Sequence, residues 1–410
     1  MSKSNINDAG RRPAPAVSAA RIDNDVQAIA AATALADKLR PQALLRDRER
    51  ILPWDEIEAY SETGLGAITV PKAYGGPELS FVTLVRVFEI LCAADPSAGQ
   101  IPQNHFGVLA LLHDLGSEEQ KRRFYADILR GERIGNAGPE RGRNAISHVT
   151  TRITATADGL RLTGRRFYST GALFAHWIPT RAIDDEGRAV QAWARFDAPG
   201  VSVIDDWSSF GQRTTASGTV EFDNVPVEPV QVLPVWQAAD RPGLWGPTSQ
   251  LIQAAIDSGI ARAAIDDAIA FVRDRARPWM DSGLERAADD PTILHEIGRL
   301  ETDYQAAQAL LHHAASVLDE LSAVPVTAET SAKASVAVAE AKILTTEIAL
   351  DASETLFDLA GSSSTRAAHG LDRHWRNARV HTLHDPVRWK YHLLGNYYLN
   401  GAHPARHQWN

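Results

Sequence analysis

Twice along its 410 residues this chain changes the period at which apolar residues recur, and that double switch limits the possible folds more than any single motif. From Asp23 to Arg130 the apolar and alanine-rich positions follow helical spacing. The runs are Val26 to Leu39, Pro53 to Gly64, Leu79 to Ala93, His105 to Leu115 and Ser117 to Leu129. Gly75 with Gly76, and Asp95 with Pro96 and Ser97, punctuate them. Val149 to Thr156, Leu160 to Thr163, Ala189 to Phe196, Val201 to Ile204 and Thr219 to Phe222 then alternate or carry β-branched residues between Gly, Asp and Pro turns. After Pro242 and Gly243 helical periodicity returns, over Leu251 to Arg275, Thr292 to Leu321 and Thr327 to Leu359. The pattern predicts an N-terminal helical domain over 19–132, a central β domain over 133–235 and a C-terminal helical bundle over 236–410. Residues 1–18, polar and proline-rich, are expected to form a disordered tail.

A chain of this length with 44% hydrophobic residues can bury the core of two or three domains. Its net charge of -9, with both signs interspersed and no basic block, argues against a nucleic-acid surface. No stretch approaches the ~18 apolar residues of a membrane span. The first residues hold no apolar run resembling a signal peptide, so a cytoplasmic location is expected. Cys92 is the only cysteine and reads as a core thiol. Ala334 to Ala339 are small or apolar and leave only a thin polar stripe. That helix is expected to be buried and to need partners, with a second subunit as one candidate.

The stretch from Arg376 to Pro386 is the most telling locally. His381 and His384 stand three apart, on one face if the segment is helical, and Asp385 follows. Imidazole, with an unperturbed pKa near ~6.5, can donate a proton or hydrogen bond at neutral pH where a carboxylate normally cannot. Two histidines at this spacing also admit a metal site, but no carboxylate ligand motif accompanies them and no metal is expected.

Several segments, in order, resemble the acyl-CoA dehydrogenase superfamily. Thr63 to Gly76 is similar to its Gly-Leu…Pro-Glu-Tyr-Gly-Gly signature, and Phe167 to Gly171 to its Trp-Ile-Thr-Asn-Gly loop. Phe210 to Arg213 with Val220 to Pro226 resembles Gly-x-Arg…Phe-x-x-Val-x-Val-Pro, and Phe271 to Arg275 resembles Tyr-x-x-x-Arg. Arg376 to Arg379 resembles Arg-Asp-Ala-Arg, while His384 and Asp385 stand where the dehydrogenases carry Tyr-Glu-Gly-Thr. The resemblance implies an α+β fold of an N-terminal helical domain, a central small β-barrel domain and a C-terminal four-helix bundle. The ending from His381 to Tyr398 is most similar to the branch of sulfur-acquisition oxidoreductases and dibenzothiophene monooxygenases. Those enzymes use reduced FMN, delivered by a separate reductase, and O2.

That branch implies oxygenation of a small organosulfur compound (a sulfide, sulfoxide or sulfone) through a C4a-hydroperoxyflavin. His384, His381, His105 and Ser169 are then the expected catalytic residues. Asn136, Ser169, Trp207, Arg275 and the run Ser362, Ser363, Ser364 and Thr365 are the expected cofactor contacts, with Arg275 on the phosphate. Trp207 also reads as a packing residue and the serine run as an ordinary turn. Phe357 and Ala360 replace a glutamine and a glycine of the turn that grips the adenosine half of FAD, which favours FMN over FAD. Glu140 to Arg143 departs from the dehydrogenases' Gly-Ser-Asp and so from ordinary CoA-thioester binding. The alternative is an FAD-dependent acyl-CoA dehydrogenase with Asp385 as base. The resemblance further implies a homotetramer whose flavin sites are completed across subunits.

Overall fold

The structure, a computed structural model, describes residues 10–16, 18–142 and 149–410. Its N-terminal part is helical: α1 (Asp25–Glu49), α2 (Trp54–Glu62), α3 (Phe81–Ala94), α4 (Pro96–Gln100), α5 (Gln103–Leu115) and α6 (Glu118–Leu129). Local chemistry starts these helices. The Asn24 side chain accepts the Gln27 N–H, Ser80 does the same for Thr83, and Ser117 with Gln120 forms a reciprocal capping box. Asp95 caps α4 through the N–H groups of Ser97 and Ala98. Its other carboxylate oxygen takes Arg46 Nε at 2.8 Å, and Arg46 also reaches Glu56 at 2.6 Å. One buried guanidinium thus ties α1 to α2 and to the α3–α4 corner from which α5 departs.

Seven strands follow: β1 (Arg152–Thr156), β2 (Gly159–Arg166), β3 (Trp177–Ile183), β4 (Ala189–Arg195), β5 (Val201–Ile204), β6 (Thr219–Val227) and β7 (Val232–Leu233). They form one sheet in the order β5-β6-β2-β1-β3-β4-β7, antiparallel except where β1 meets β3 at the Arg152 and Ile183 pair. The expected small barrel is therefore a sheet whose edges, β5 and β7, do not pair with each other among the described residues. Strand β3 escapes the sequence pattern because Pro179 sits in its middle, which ordinarily argues against a strand. The carbonyl of Pro179 nevertheless accepts the Ala137 N–H at 3.0 Å.

The C-terminal part consists of α7 (Trp245–Asp274), α8 (Pro291–Ser322), α9 (Ala328–Ala360), α10 (Asp372–His381) and α11 (Arg388–Asn400). Helix α7 is the spine, buried on every side from Gln250 to Ala261. Gly259 lets α3 approach it, since a Cβ there would lie 2.8 Å from both the Glu89 carbonyl oxygen and Cys92 Cβ. Cys92 is a buried free thiol. The small residues of α9 (Ala334, Val338 and Ala341) belong to the same core cluster as α7 residues Ala254, Ala255 and Ile256. The partner that the apolar stretch around Ala337 needs is therefore present within one protomer, without recourse to the second subunit considered as a candidate.

The tail is also less free than its composition predicts. Residues 1–9 and 17 lie outside the described residues, but Arg11 pairs with Asp55 at 2.5 Å and the Ala14 carbonyl meets His176 Nε2 at 2.8 Å. Among the described residues, no helix is long and apolar enough to cross a membrane.

Replacing Arg46 by Met leaves two carboxylates without their cation in the low-dielectric interior, and breaking a buried pair costs about 3–5 kcal/mol. Arg46→Met is expected to lower the urea midpoint accordingly. A midpoint equal to that of the native chain would show that the α1–α4 corner does not depend on this ion pair.

Candidate active site

Helix α10 presents Asn377 and His381 one turn apart, hence on one face. Asn377 Oδ1 accepts the Gln212 N–H at 2.7 Å, and Arg376 holds the Phe210 carbonyl at 2.8 Å and the buried Asp47 at 2.6 Å. Gly211 lies against the Arg376 carbonyl so closely that any Cβ there would collide with it. The β-domain loop before β6 is thus fastened to α10. Trp207 Nε1 donates to the Gln212 carbonyl at 2.8 Å, and its ring lies 6.1 Å from that of Tyr168. The Tyr168 carbonyl takes Asn136 Nδ2 at 3.4 Å, and the Ser169 N–H donates to the Gly218 carbonyl. Tyr168 and Gln212 both adopt positive φ, at 65° and 47°, a conformation that non-glycine residues seldom hold away from functional loops.

Among the described residues, buried polar atoms without a partner include Ser169 Oγ, both side-chain amide atoms of Gln212, Gln253 Oε1 and His381 Nε2. Buried polar groups are ordinarily hydrogen-bonded, so open atoms on segments joined by these contacts are candidate ligand contacts. Behind His381 lies a buried charge cluster. His381 Nδ1 is 2.5 Å from Asp257 Oδ1, while Asp257 Oδ2 receives Lys342 Nζ at 3.0 Å and Thr346 Oγ1 at 3.1 Å. Burial works to raise the Asp257 pKa, but Lys342 and His381 together bring it down to about 2.

His384 follows on the α10–α11 turn, its ring centroid 5.8 Å from that of His381. It opens onto a cavity of about 550 Å³ whose walls include Trp389, Leu393, Pro404 and Trp409. Desolvation by the neighbouring protein, and then the charge of Lys342, hold its pKa below the ordinary imidazole value although the residue stays open to solvent on one side, so the ring is neutral near pH 7. Asp385, next in sequence, faces Lys390, with Oδ2 at 3.5 Å from its Nζ.

A chain of contacts thus joins the loops carrying Asn136, Ser169 and Trp207 to α10, which carries His381, with His384 on the turn that follows. It does not reach Arg275 or the run Ser362 to Thr365. Arg275 closes α7 eighteen residues beyond Asp257, about 27 Å along the axis at the helical rise per residue. There it contacts His369 at 3.3 Å, close to where α9 ends and the short 3₁₀ turn Ser362–Thr365 begins. His105 lines a small pocket with Gly171 and Ile134. Its Nδ1 faces the Ile134 N–H at 3.1 Å and its Nε2 the Gly66 carbonyl at 2.8 Å, so both ring nitrogens are committed to backbone. Arg143, part of the departure from the Gly-Ser-Asp motif, lies outside the described residues.

Sequence reasoning missed Asp257, Lys342, Gln212 and Asn377. A signal existed for the first two: each is the lone charge within a run of apolar and small residues, Leu251 to Ala261 and Ala341 to Thr346.

Known proteins place these features in context. The family model described as the N-terminal domain of acyl-CoA dehydrogenase matches residues 26–132, and that of its C-terminal domain matches 251–389. The chain is 33% identical over 398 residues to dibenzothiophene monooxygenase of Rhodococcus erythropolis, covering 93% of this chain and 95% of that one. It is 29% identical over 387 residues to a probable FMNH2-dependent monooxygenase of Pseudomonas putida, covering 92% and 96%. The crystal structure of FMN-bound TdsC from Paenibacillus sp. A11-2 superposes with a TM-score of 0.89 at 32% identity, covering 94% of this chain and all of that one.

The backbone role of His105 has a measurable consequence. Burial lowers its pKa from 6.5 to about 4. The folded pKa lies below the unfolded one, so between those values the unfolded state binds more protons. The stability contribution is complete above pH 6.5, falls as pH drops through that window and levels off below about 4. Urea midpoints at pH 7 and pH 5 should differ by the equivalent of about 2 kcal/mol more in the native chain than in His105→Gln. Equal pH dependence in the two would show that His105 is not held neutral.

Proposed function

The chain belongs to the acyl-CoA dehydrogenase family, and on that premise we propose that it is a flavin-dependent monooxygenase. It takes reduced FMN from a separate reductase and uses O2 to oxygenate a small organosulfur compound (a sulfide, sulfoxide or sulfone) in sulfur acquisition. The observation that carries this reading is the exchange of chemistry at the α10–α11 turn. Where a dehydrogenase needs a carboxylate free to take a proton from carbon, Asp385 is buried with one oxygen 3.5 Å from Lys390 Nζ, and the cavity it lines is shared with the imidazole of His384. The near full-length similarity to dibenzothiophene monooxygenase supports the same reading.

The residues present fit FMN. Ser169 Oγ and the Gln212 amide offer unpartnered hydrogen-bonding atoms suited to the polar edge of an isoalloxazine, and Tyr168 and Trp207 supply the aromatic surface beside them. Reduced FMN, when bound, supplies the electrons that activate O2. His384 is neutral and so carries one N–H to donate. The cavity beside it, walled by Trp389, Leu393 and Trp409, lies within the usual range for small ligands and suits an apolar sulfur compound. Packing of that substrate against the indoles excludes water from the reacting atoms.

Arg275 and Ser362 to Thr365 are the phosphate-binding group in this reading. They stand farther from His381 than one FMN spans, so they serve the flavin of a second copy, and that copy's residues serve this one. The exposed apolar side chains of α11 give the copies a surface to bury: Trp389 is 57%, Tyr398 67% and Leu399 84% exposed in one protomer. The assembly is a homotetramer built from such pairs. A cytoplasmic setting, where the reductase finds its own reductant, completes the reading.

Anaerobic titration with reduced FMN, followed by O2 and a thioether, should yield the sulfoxide. Bleaching of tightly bound FAD by an acyl-CoA would instead establish a dehydrogenase. His384→Ala should lower oxygenated product at least about 100-fold while hydrogen peroxide release rises, because reducing equivalents then leave without oxygen transfer. Unchanged product yield would remove His384 from the reaction. Arg275→Ala should weaken FMN binding about tenfold or more, read by quenching of flavin fluorescence.

A further inference from the structure

The two histidines of the turn have unlike surroundings, and the difference follows from one carboxylate. Asp257 divides its oxygens: Oδ2 is taken by Lys342 and Thr346, which leaves Oδ1 to His381 alone. An ionised carboxylate only accepts hydrogen bonds. The 2.5 Å contact must therefore be a bond donated by His381, and the proton on Nδ1 is fixed by the partner. His381 is fully buried, and among the described residues its Nε2 has no partner. Lys342 offsets the carboxylate's charge from one oxygen while the other orients the His381 ring. His384 has no such anchor.

We propose that Asp257, ion-paired with Lys342, is a positioning residue that locks His381 as the Nδ1–H tautomer. His381 then meets the bound flavin or substrate through a bare Nε2 as an acceptor, and donation in the site falls to His384. The role rests on the oxygenase reading above, whereas the tautomer rests on geometry alone. The charged or titratable groups around His381 are Asp257 of α7, Lys342 of α9, His384 and Asp385 of the turn, and Lys390 of α11. Partners behind a functional imidazole ordinarily change its activity 10- to 100-fold when removed, and a comparable effect is expected here.

The test begins on flavin-free protein labelled with 15N-histidine. At pH 7 the imidazole whose signals vanish in His381→Gln should show a protonated Nδ1 and a bare Nε2. A native spectrum with the proton on Nε2 and Nδ1 bare, or an imidazolium persisting at pH 8, would overturn the proposal. The second arm uses Asp257→Asn/Lys342→Met, which replaces the ion pair by a neutral pair and so strands no buried charge. Sulfoxide formation should fall about 10- to 100-fold in kcat with KM little changed. A lower melting temperature with unchanged kcat would reduce Asp257 to a structural residue. If the native protein makes no sulfoxide at all, the oxygenase reading falls while the spectrum still decides the tautomer.

Discussion

A carboxylate buried at the centre of the C-terminal bundle is costly unless it is fully paired, and Asp257 sets the terms on which three helices meet. It sits on α7, its cation comes from α9 and its imidazole from α10. An ion pair of this kind adds little net stability over apolar packing of equal volume, but breaking it strands a charge in low dielectric. Its contribution is therefore to register more than to stability. Sliding α9 by a turn would separate Lys342 from Asp257, and turning α10 would leave the carboxylate without His381. A core of Ala, Val and Ile constrains helix register weakly, and the charge cluster selects one arrangement among many that pack nearly as well.

That register is passed outward. With His381 fixed, Asn377 one turn earlier is fixed too, and through Gln212 it determines where the β-domain loop lies against α10. Arg376, paired with Asp47, ties the same junction to the first helix of the N-terminal part. The open hydrogen-bonding atoms of Ser169, Gln212 and His381 come from two parts of the chain with separate cores, yet they are placed by one continuous set of polar contacts. A site assembled this way can keep a flavin-binding surface while the chemistry of the adjoining turn changes. That is what the pairing of His384 with a buried Asp385, in place of the Tyr-Glu of the dehydrogenases, amounts to.

The site residues expected from the sequence separate into two groups for a physical reason. Residues close in sequence to the turn, or on the loops of the sheet, converge on the junction. Those at the far ends of α7 and α9 cannot, because a straight helix carries them away at about 1.5 Å per residue. His105 was expected in the site from the resemblance to the monooxygenase branch. In the fold it is a backbone clamp whose two nitrogens hold Ile134 and Gly66, and nothing in the local sequence distinguishes such a clamp from a catalyst.

The sequence by itself determined the order of helical, β and helical parts, because burying one face of a helix or sheet imposes the period of that element on the apolar residues. It also fixed most helix starts, where Asn24, Ser80 and Ser117 satisfy the first N–H groups locally, and it marked the His381 and His384 turn through its resemblance to a known family. Strand β3 was hidden because Pro179 violates the strand rule and the neighbouring segment at Ala137 supplies the compensation. Only the tertiary structure decided that α9 finds its partner in α7, that Asp385 faces Lys390, and that Asp257, 124 residues from His381 in sequence, stands behind it. Those outcomes depend on which distant groups share a low-dielectric interior. Hydrophobic period and local capping report only whether a position is buried, not what is buried beside it.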